Sequence, residues 1–155
     1  MRRLFVLATL LPTLVLAGCD SGGSSSNCGD LRLQNGTFSA STTGGALRAD
    51  CFTVSEVEGF VIFVAYDTSG GIRDLQAPLT IRFDGTAPGT YALDNGDGSG
   101  EAFAQIGQTD TLEPQFSEQG TATITTLSPS GFSGTFEFVT NQGLRVSNGR
   151  FSVSR

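Results

Sequence analysis

The cysteines and the carboxylates are the side chains of this sequence that could do chemistry. The 155 residues include three cysteines and fifteen Asp and Glu residues, but no histidine, and all nine basic residues are arginine. Without histidine, a Ser-His-Asp triad, a Cys-His pair and a two-histidine metal centre are excluded. Without lysine, Schiff-base chemistry and a Ser-Lys dyad are excluded as well. The carboxylates are therefore the only candidates for a general acid or base.

One pair of carboxylates lies close together in the sequence. Glu56 and Glu58 are two residues apart, so they face the same way if the chain is extended there. Glycosidases place their two carboxylates on opposite sides of the scissile bond, which neighbours on one strand edge cannot do. We therefore predict that these two residues lie at a solvated strand end, and a carboxylate-based hydrolase stays as an alternative function.

A glycine-rich stretch carries oxygen side chains at alternate positions. Asn95, Asp97, Ser99 and Glu101 are separated by single glycines, which loosely resembles the start of a calcium loop. Asn instead of Asp stands at the first position, and the twelfth, Ile106, is not the bidentate acid. We favour a hairpin turn over a metal site, and we expect neither a metal nor another cofactor.

Cys19 has a distinctive setting at the end of an apolar stretch. Two arginines precede Leu4–Leu16, and Leu16-Ala17-Gly18-Cys19 is followed by Asp20 and a Gly/Ser tract. This stretch of about 13 residues, which includes Thr9, Pro12 and Thr13, is too short for a transmembrane helix, which needs about 20 apolar residues. The four residues resemble the lipobox of bacterial lipoprotein signal peptides. The resemblance implies that residues 1–18 are removed and that Cys19 carries acyl chains such as palmitate, which anchor the protein in a membrane. An ordinary signal peptide with an incidental cysteine is the alternative.

Cys28 and Cys51 remain as a pair once Cys19 is lipidated. In an exported, oxidising compartment they would form a disulfide that closes a loop of about 24 residues and contributes roughly 3 kcal/mol. A free pair or a metal site is the alternative, although two thiols without a histidine are too few ligands for zinc. We predict the disulfide.

The charge of the chain restricts its partners. Two arginines lie in residues 1–18, so seven arginines and fifteen carboxylates remain, which gives a side-chain charge of −8. Such a chain forms no basic patch, and nucleic acid is excluded as a partner. Anionic lipid is repelled too, so the membrane contact falls to the acyl chains.

Three segments follow from this composition. Residues 1–18 are the signal peptide, 19–27 are a lipidated Gly/Ser tether, and 28–155 have the length of one domain. The domain shows short alternating runs and no helical period, which predicts an antiparallel β-sandwich or flattened barrel of about eight to nine strands. The predicted strands are Leu31–Ser41, Ala46–Ser55, Gly59–Asp67, Pro78–Asp84, Gly89–Leu93, Glu101–Gly107, Gly120–Leu127, Phe132–Thr140 and Leu144–Ser154.

Two local patterns refine this prediction. Phe60, Ile62, Val64 and Tyr66 share one face of their strand, and the opposite face is apolar too, which favours a central strand with both faces covered. An exposed apolar face for a ligand or partner is the alternative. Asn148-Gly149 predicts a two-residue hairpin turn, because both turn residues need a positive φ.

Four segments of the domain resemble those of a known family. They are Gly89-Thr-Tyr-Ala-Leu, Gly120-Thr-Ala-Thr-Ile-Thr, Ser133-Gly-Thr-Phe-Glu-Phe and Val146-Ser-Asn-Gly-Arg-Phe. Their order resembles the small β-rich lipoproteins of unknown function that are common in Bacteroidetes, over most of residues 36–154. Leu47 departs from that pattern, which usually has an aromatic residue there. The resemblance implies a β-rich fold and an envelope location, and it implies no catalytic residues.

The sequence therefore predicts a lipid-anchored protein of the cell envelope, facing the periplasm or the cell surface. Its β domain would have a binding or structural role without catalysis, with an envelope protein or a glycan as a possible class of partner. A glycan- or peptide-binding module is the first alternative and predicts exposed aromatic residues in a groove. With two tyrosines and no tryptophan, the chain has few side chains for stacking on sugars.

Overall fold

The computed structural model describes residues 28–29, 31–69, 76–96, 100–108 and 114–155. Within these ranges the chain forms ten β-strands and no helix. The strands are β1 (Gln34–Thr42), β2 (Gly45–Leu47), β3 (Cys51–Val57), β4 (Phe60–Asp67), β5 (Gln76–Phe83), β6 (Gly89–Asp94), β7 (Ala102–Gln108), β8 (Gln115–Ser128), β9 (Gly131–Thr140) and β10 (Arg145–Ser154).

The strands form one sheet that closes into a barrel of nine strands. Strand β1 closes it, because Gln34 and Asn35 pair with β3 while Gly36 to Thr42 pair with β10. Strand β2 pairs with β1. The expectation of an all-β barrel or flattened sandwich is confirmed in its barrel form, and closure leaves few free strand edges.

The pairing of β6 corrects one expectation. A hairpin was predicted around Asn95–Glu101, but β6 and β7 run parallel, with Leu93 opposite Ala102. The antiparallel neighbour of β6 is β8. The two strands are neighbours in the sheet as well as in the sequence, but they run in the same direction and therefore do not form a hairpin.

The core fills the inside of the barrel with one face of every long strand. Alternate residues such as Phe136 and Phe138 are buried, and the residues between them are exposed. Aromatic rings stack across the interior, with Phe63 of β4 4.4 Å from Phe151 of β10 and Phe151 4.9 Å from Phe132 of β9. The inner faces of β4, β9 and β10 therefore share one aromatic cluster, which adds specific ring contacts to the burial of apolar area.

Asn148-Gly149 does not form the predicted hairpin turn. Both residues lie inside β10, where the register to β9 shifts between Val146 and Gly149. Asn148 has φ 55°, and a β-bulge satisfies this conformation as well as a turn does. A side chain at Gly149 would lie 2.4 Å from the Phe136 ring, so glycine is needed there for space.

Strand β4 corrects the expectation that both of its faces are covered. Val61, Phe63 and Ala65 point inward and are fully buried. The alternate residues from Phe60 to Tyr66 point outward and are half-buried. Since the described part of the chain forms a single sheet without helices, no second layer of it lies over this outer face.

Candidate functional site

The Cys28–Cys51 disulfide is the first feature of the candidate site. The structure joins these two cysteines with their Cα atoms 5.5 Å apart, in agreement with the expected pairing, and both are fully buried. Cys51 begins β3 and lies opposite Tyr66 of β4. The bond therefore fixes the beginning of the described chain beside this end of β3 and β4. Cys19, the predicted lipidation site, lies outside the described residues.

Asp50 strengthens the same junction. Its carboxylate accepts hydrogen bonds from the backbone N–H of Thr68 at 3.0 Å and from the Thr68 hydroxyl at 2.5 Å. Its own N–H donates to the Tyr66 carbonyl at 2.9 Å. The carboxylate thus connects the chain before β3 to the chain after β4, a structural role that the sequence pattern did not indicate.

An apolar strip runs along the outside of β4 from this junction and includes Val57 at the far end of β3. We call Val57, Phe60, Ile62, Val64 and Tyr66 the apolar face. Val57 has 45% of its surface exposed and pairs with Phe60 across the hairpin. The guanidinium carbon of Arg82 in β5 lies 6.0 Å from the centre of the Phe60 ring, so the arginine covers part of the face.

Glu56 and Glu58 do not form a pair. The Glu56 carboxylate forms an ion pair with Arg155, and its Oε1 lies 2.5 Å from the arginine Nη1. Glu58 lies in the tight turn between β3 and β4, with φ 23°. Both are exposed, as predicted for a solvated strand end.

A surface groove lies between Glu56 and the β8–β9 turn. Its volume is about 450 Å³, and its described lining consists of Glu56, Thr86, Leu127, Ser128, Pro129 and Arg155. Arg155 also donates to the Ser128 carbonyl at 3.2 Å, so it connects β3 to the β8–β9 turn. Glu56 is the single carboxylate in this lining. A glycosidase needs two carboxylates about 5–10 Å apart across a cleft, and the groove lining does not supply the second one.

The Asn95–Glu101 stretch is organised by a residue that the sequence interpretation did not select. Asp94 accepts hydrogen bonds from the N–H groups of Gly96 at 2.8 Å and Gly100 at 2.6 Å. Its carboxylate therefore satisfies two backbone N–H groups of the loop. An Asp two residues before a glycine is a sequence pattern typical of such an Asx turn, and it could have identified Asp94. Asn95 and Glu101 are described, whereas Asp97 and Ser99 lie outside the described residues. Within the described ranges no three His, Cys, Asp or Glu residues are grouped to hold a metal.

The two tyrosines occupy different environments. Tyr91 packs edge-on against Phe83 at 5.4 Å, and its hydroxyl donates to the Ala87 carbonyl at 2.6 Å. Tyr66 lies on the apolar face. The chain therefore does not place its tyrosines together as a stacking platform for a sugar.

No known protein family, curated protein or solved structure matches this chain. Over the described residues, no helix has the length and apolar character needed to cross a membrane. The geometry alone therefore defines the candidate site. It is an apolar strip that ends beside the Cys28–Cys51 disulfide, where the described domain begins.

Proposed function

We propose that this protein is an exported lipoprotein of the cell envelope whose β-barrel domain has a non-catalytic binding or structural role. The sequence Leu16-Ala17-Gly18-Cys19 carries the proposal. The acyl chains on Cys19 would hold the mature protein in a membrane, because each buried methylene group contributes about 0.8 kcal/mol.

The disulfide supports the export part of the proposal. Disulfides persist in oxidising compartments and are rare in the cytosol. The Cys28–Cys51 disulfide joins the beginning of this domain to the start of β3. The tether between Cys19 and Cys28 is rich in Gly and Ser, which suits a flexible link between an anchor and a domain. The resemblance of four sequence segments to those of small β-rich envelope lipoproteins is consistent with this part of the proposal.

The contacts of the carboxylates support the non-catalytic part. Asp50 and Asp94 accept hydrogen bonds from the backbone, and Glu56 contacts Arg155. Groups with such partners hold the barrel together. We propose an envelope protein or a glycan as the class of binding partner.

Intact mass and peptide mapping of the membrane fraction test the proposal. In a bacterial host that processes lipoproteins, the wild-type chain should begin at Cys19 and carry diacylglycerol, and Cys19→Ala should abolish both the lipid and membrane retention. The double variant Cys28→Ser/Cys51→Ser is the matched control and should keep the lipid. A wild-type chain that is soluble and begins at another residue would refute the anchor.

A further inference from the structure

The apolar face differs in chemistry from the outward side of β9 and β10. Outward residues in the middle of those two strands are polar, such as Thr135, Arg150 and Ser152. On β4 every outward position from Phe60 to Tyr66 is apolar or aromatic, and Val57 extends the strip onto β3. The core of the barrel does not require apolar residues on the outside of β4, because the inward residues of β3 and β4 already contribute buried side chains to it.

The face is also low in charge on a strongly acidic chain. Arg82 lies beside it, and its Nε contacts the Asp84 carboxylate at 2.8 Å, so the two charges compensate each other. Glu58 lies in the turn at one end of the face, and the Asp50 carboxylate lies at the junction at the other end, where Thr68 donates hydrogen bonds to it. The domain can therefore approach a bilayer with this side without bringing many of its carboxylates close to the lipid headgroups.

The entry of the chain lies at the other end of the face. Cys51 faces Tyr66 and is bonded to Cys28, which is nine residues after Cys19. Nine residues span at most about 30 Å when fully extended. The eight residues of β4 are about 25 Å long at roughly 3.3 Å per residue. A lipid anchor on Cys19 is thus within reach of the whole face.

The size of the face helps to choose its occupant. The face is one strand wide apart from Val57, because Thr53 and Ser55 of β3 lie opposite Val64 and Ile62. It therefore covers a strip about 25 Å long and 5 Å wide, or roughly 125 Å². A stable dimer buries about 800 Å² on each partner, so a second copy of this chain would need much more surface than the strip provides. A bilayer contact has no such minimum, because the anchor keeps the domain at a high local concentration beside the membrane.

We propose that the apolar face, Val57, Phe60, Ile62, Val64 and Tyr66, rests on the lipid bilayer that holds the acylated Cys19. This inference rests on the lipid anchor of the proposed function. The apolar side chains contact the interfacial region of the bilayer, and the β9–β10 side of the barrel faces away from it. The anchor then sets the orientation of the domain as well as its location.

Single-tryptophan fluorescence tests this orientation, because the natural chain has no tryptophan. Ile62→Trp places the reporter on the apolar face, and Val57→Trp is a second reporter at its most exposed position. Thr135→Trp on β9 is the matched control, also outward on a strand. Each lipidated protein is reconstituted into phosphatidylcholine vesicles with and without brominated acyl chains.

We expect the brominated lipid to reduce the emission of the Ile62→Trp and Val57→Trp proteins at least twofold and to leave that of Thr135→Trp unchanged. Equal or absent quenching in proteins that float with the vesicles would overturn the inference and leave the anchor intact. Proteins that do not float would overturn the anchor and this inference together. A concentration-dependent blue shift of Ile62→Trp without vesicles, and no quenching with them, would assign the face to a second copy and overturn the bilayer contact.

Discussion

The outer surface of the barrel has two sides of opposite chemistry. On one side Ser39, Arg150, Thr135, Thr123 and Thr90 lie in one continuous row across five strands. The hydroxyls of Thr90 and Thr123 are 2.9 Å apart in this row. On the other side β4 presents Phe60, Ile62 and Val64 to the outside.

Both sides are built on the same inner pattern. Strands β4, β9 and β10 all alternate buried and outward residues and meet in the aromatic cluster around Phe63 and Phe151. The fold thus accepts either chemistry on its outer surface. The difference between the sides is therefore informative about contacts outside the barrel, whereas the shared core is informative about stability.

Phe63→Ala gives the largest expected effect and tests whether the core dominates on the apolar side. The change removes a fully buried ring that stacks on Phe151 and should lower the free energy of unfolding by about 3–5 kcal/mol in urea titration. Ile62→Ala, its outward neighbour, is the control and should lower it by only about 1 kcal/mol. Equal losses would mean that the apolar face belongs to the core after all.

Removal of the disulfide should come second. Cys28→Ser/Cys51→Ser should cost about 3 kcal/mol, since the unfolded chain gains the entropy of an open loop. The effect should be local as well, with faster hydrogen exchange at the start of β3 than at β9. A uniform change in exchange over both sides would show that the bond does not act on the apolar side in particular.

Gly149→Ala tests the bulge on the polar side. The added methyl group would overlap the Phe136 ring and should cost about 1–3 kcal/mol by thermal or urea unfolding. Gly44→Ala is the matched control, because the nearest atom to its new methyl group is the Thr42 hydroxyl at 3.7 Å. A neutral Gly149→Ala variant would show that β10 can straighten without the bulge.

The ion pair between Glu56 and Arg155 should have the smallest effect. Arg155→Ala removes contacts to Glu56 and Ser128, and partly exposed ion pairs of this kind contribute at most about 1 kcal/mol. Glu56→Gln is the companion variant, and its effect should disappear at high salt. A larger loss that persists in salt would mean that Arg155 holds the two sides together by packing.

The sequence predicted the parts of the fold that depend on local alternation. The alternation within the last two predicted strands places Phe136, Phe138, Phe151 and Val153 on one face of each strand, and all four are buried. The predicted strand Ala46–Ser55 was too long, because residues 48–50 separate β2 from β3. That break, made at Asp50 by contacts with Thr68, depends on a residue far along the chain.

Longer-range features were not predictable from local patterns. Asn148-Gly149 indicated a positive φ correctly, but a turn and a bulge share that requirement and only the pairing with β9 distinguishes them. The parallel pairing of β6 and β7 depends on β8, which occupies the other edge of β6. The outward position of the apolar face follows from closure of the barrel, which no single strand encodes. The Cys28–Cys51 disulfide was predictable although it is a long-range contact, because these are the two cysteines that remain once Cys19 is assigned to lipidation.

The closure of the barrel by β1 also has a consequence for the order of folding. Gly36 near the beginning of the domain pairs with Val153 near its end. Contacts between such distant residues slow folding, because a long loop must close before they form. During synthesis β1 must wait for β10, so the cylinder stays open until the last strand has been made. The fold of such a chain stays incomplete until synthesis is nearly finished, and an incompletely folded chain is the state in which a polypeptide can be exported across a membrane.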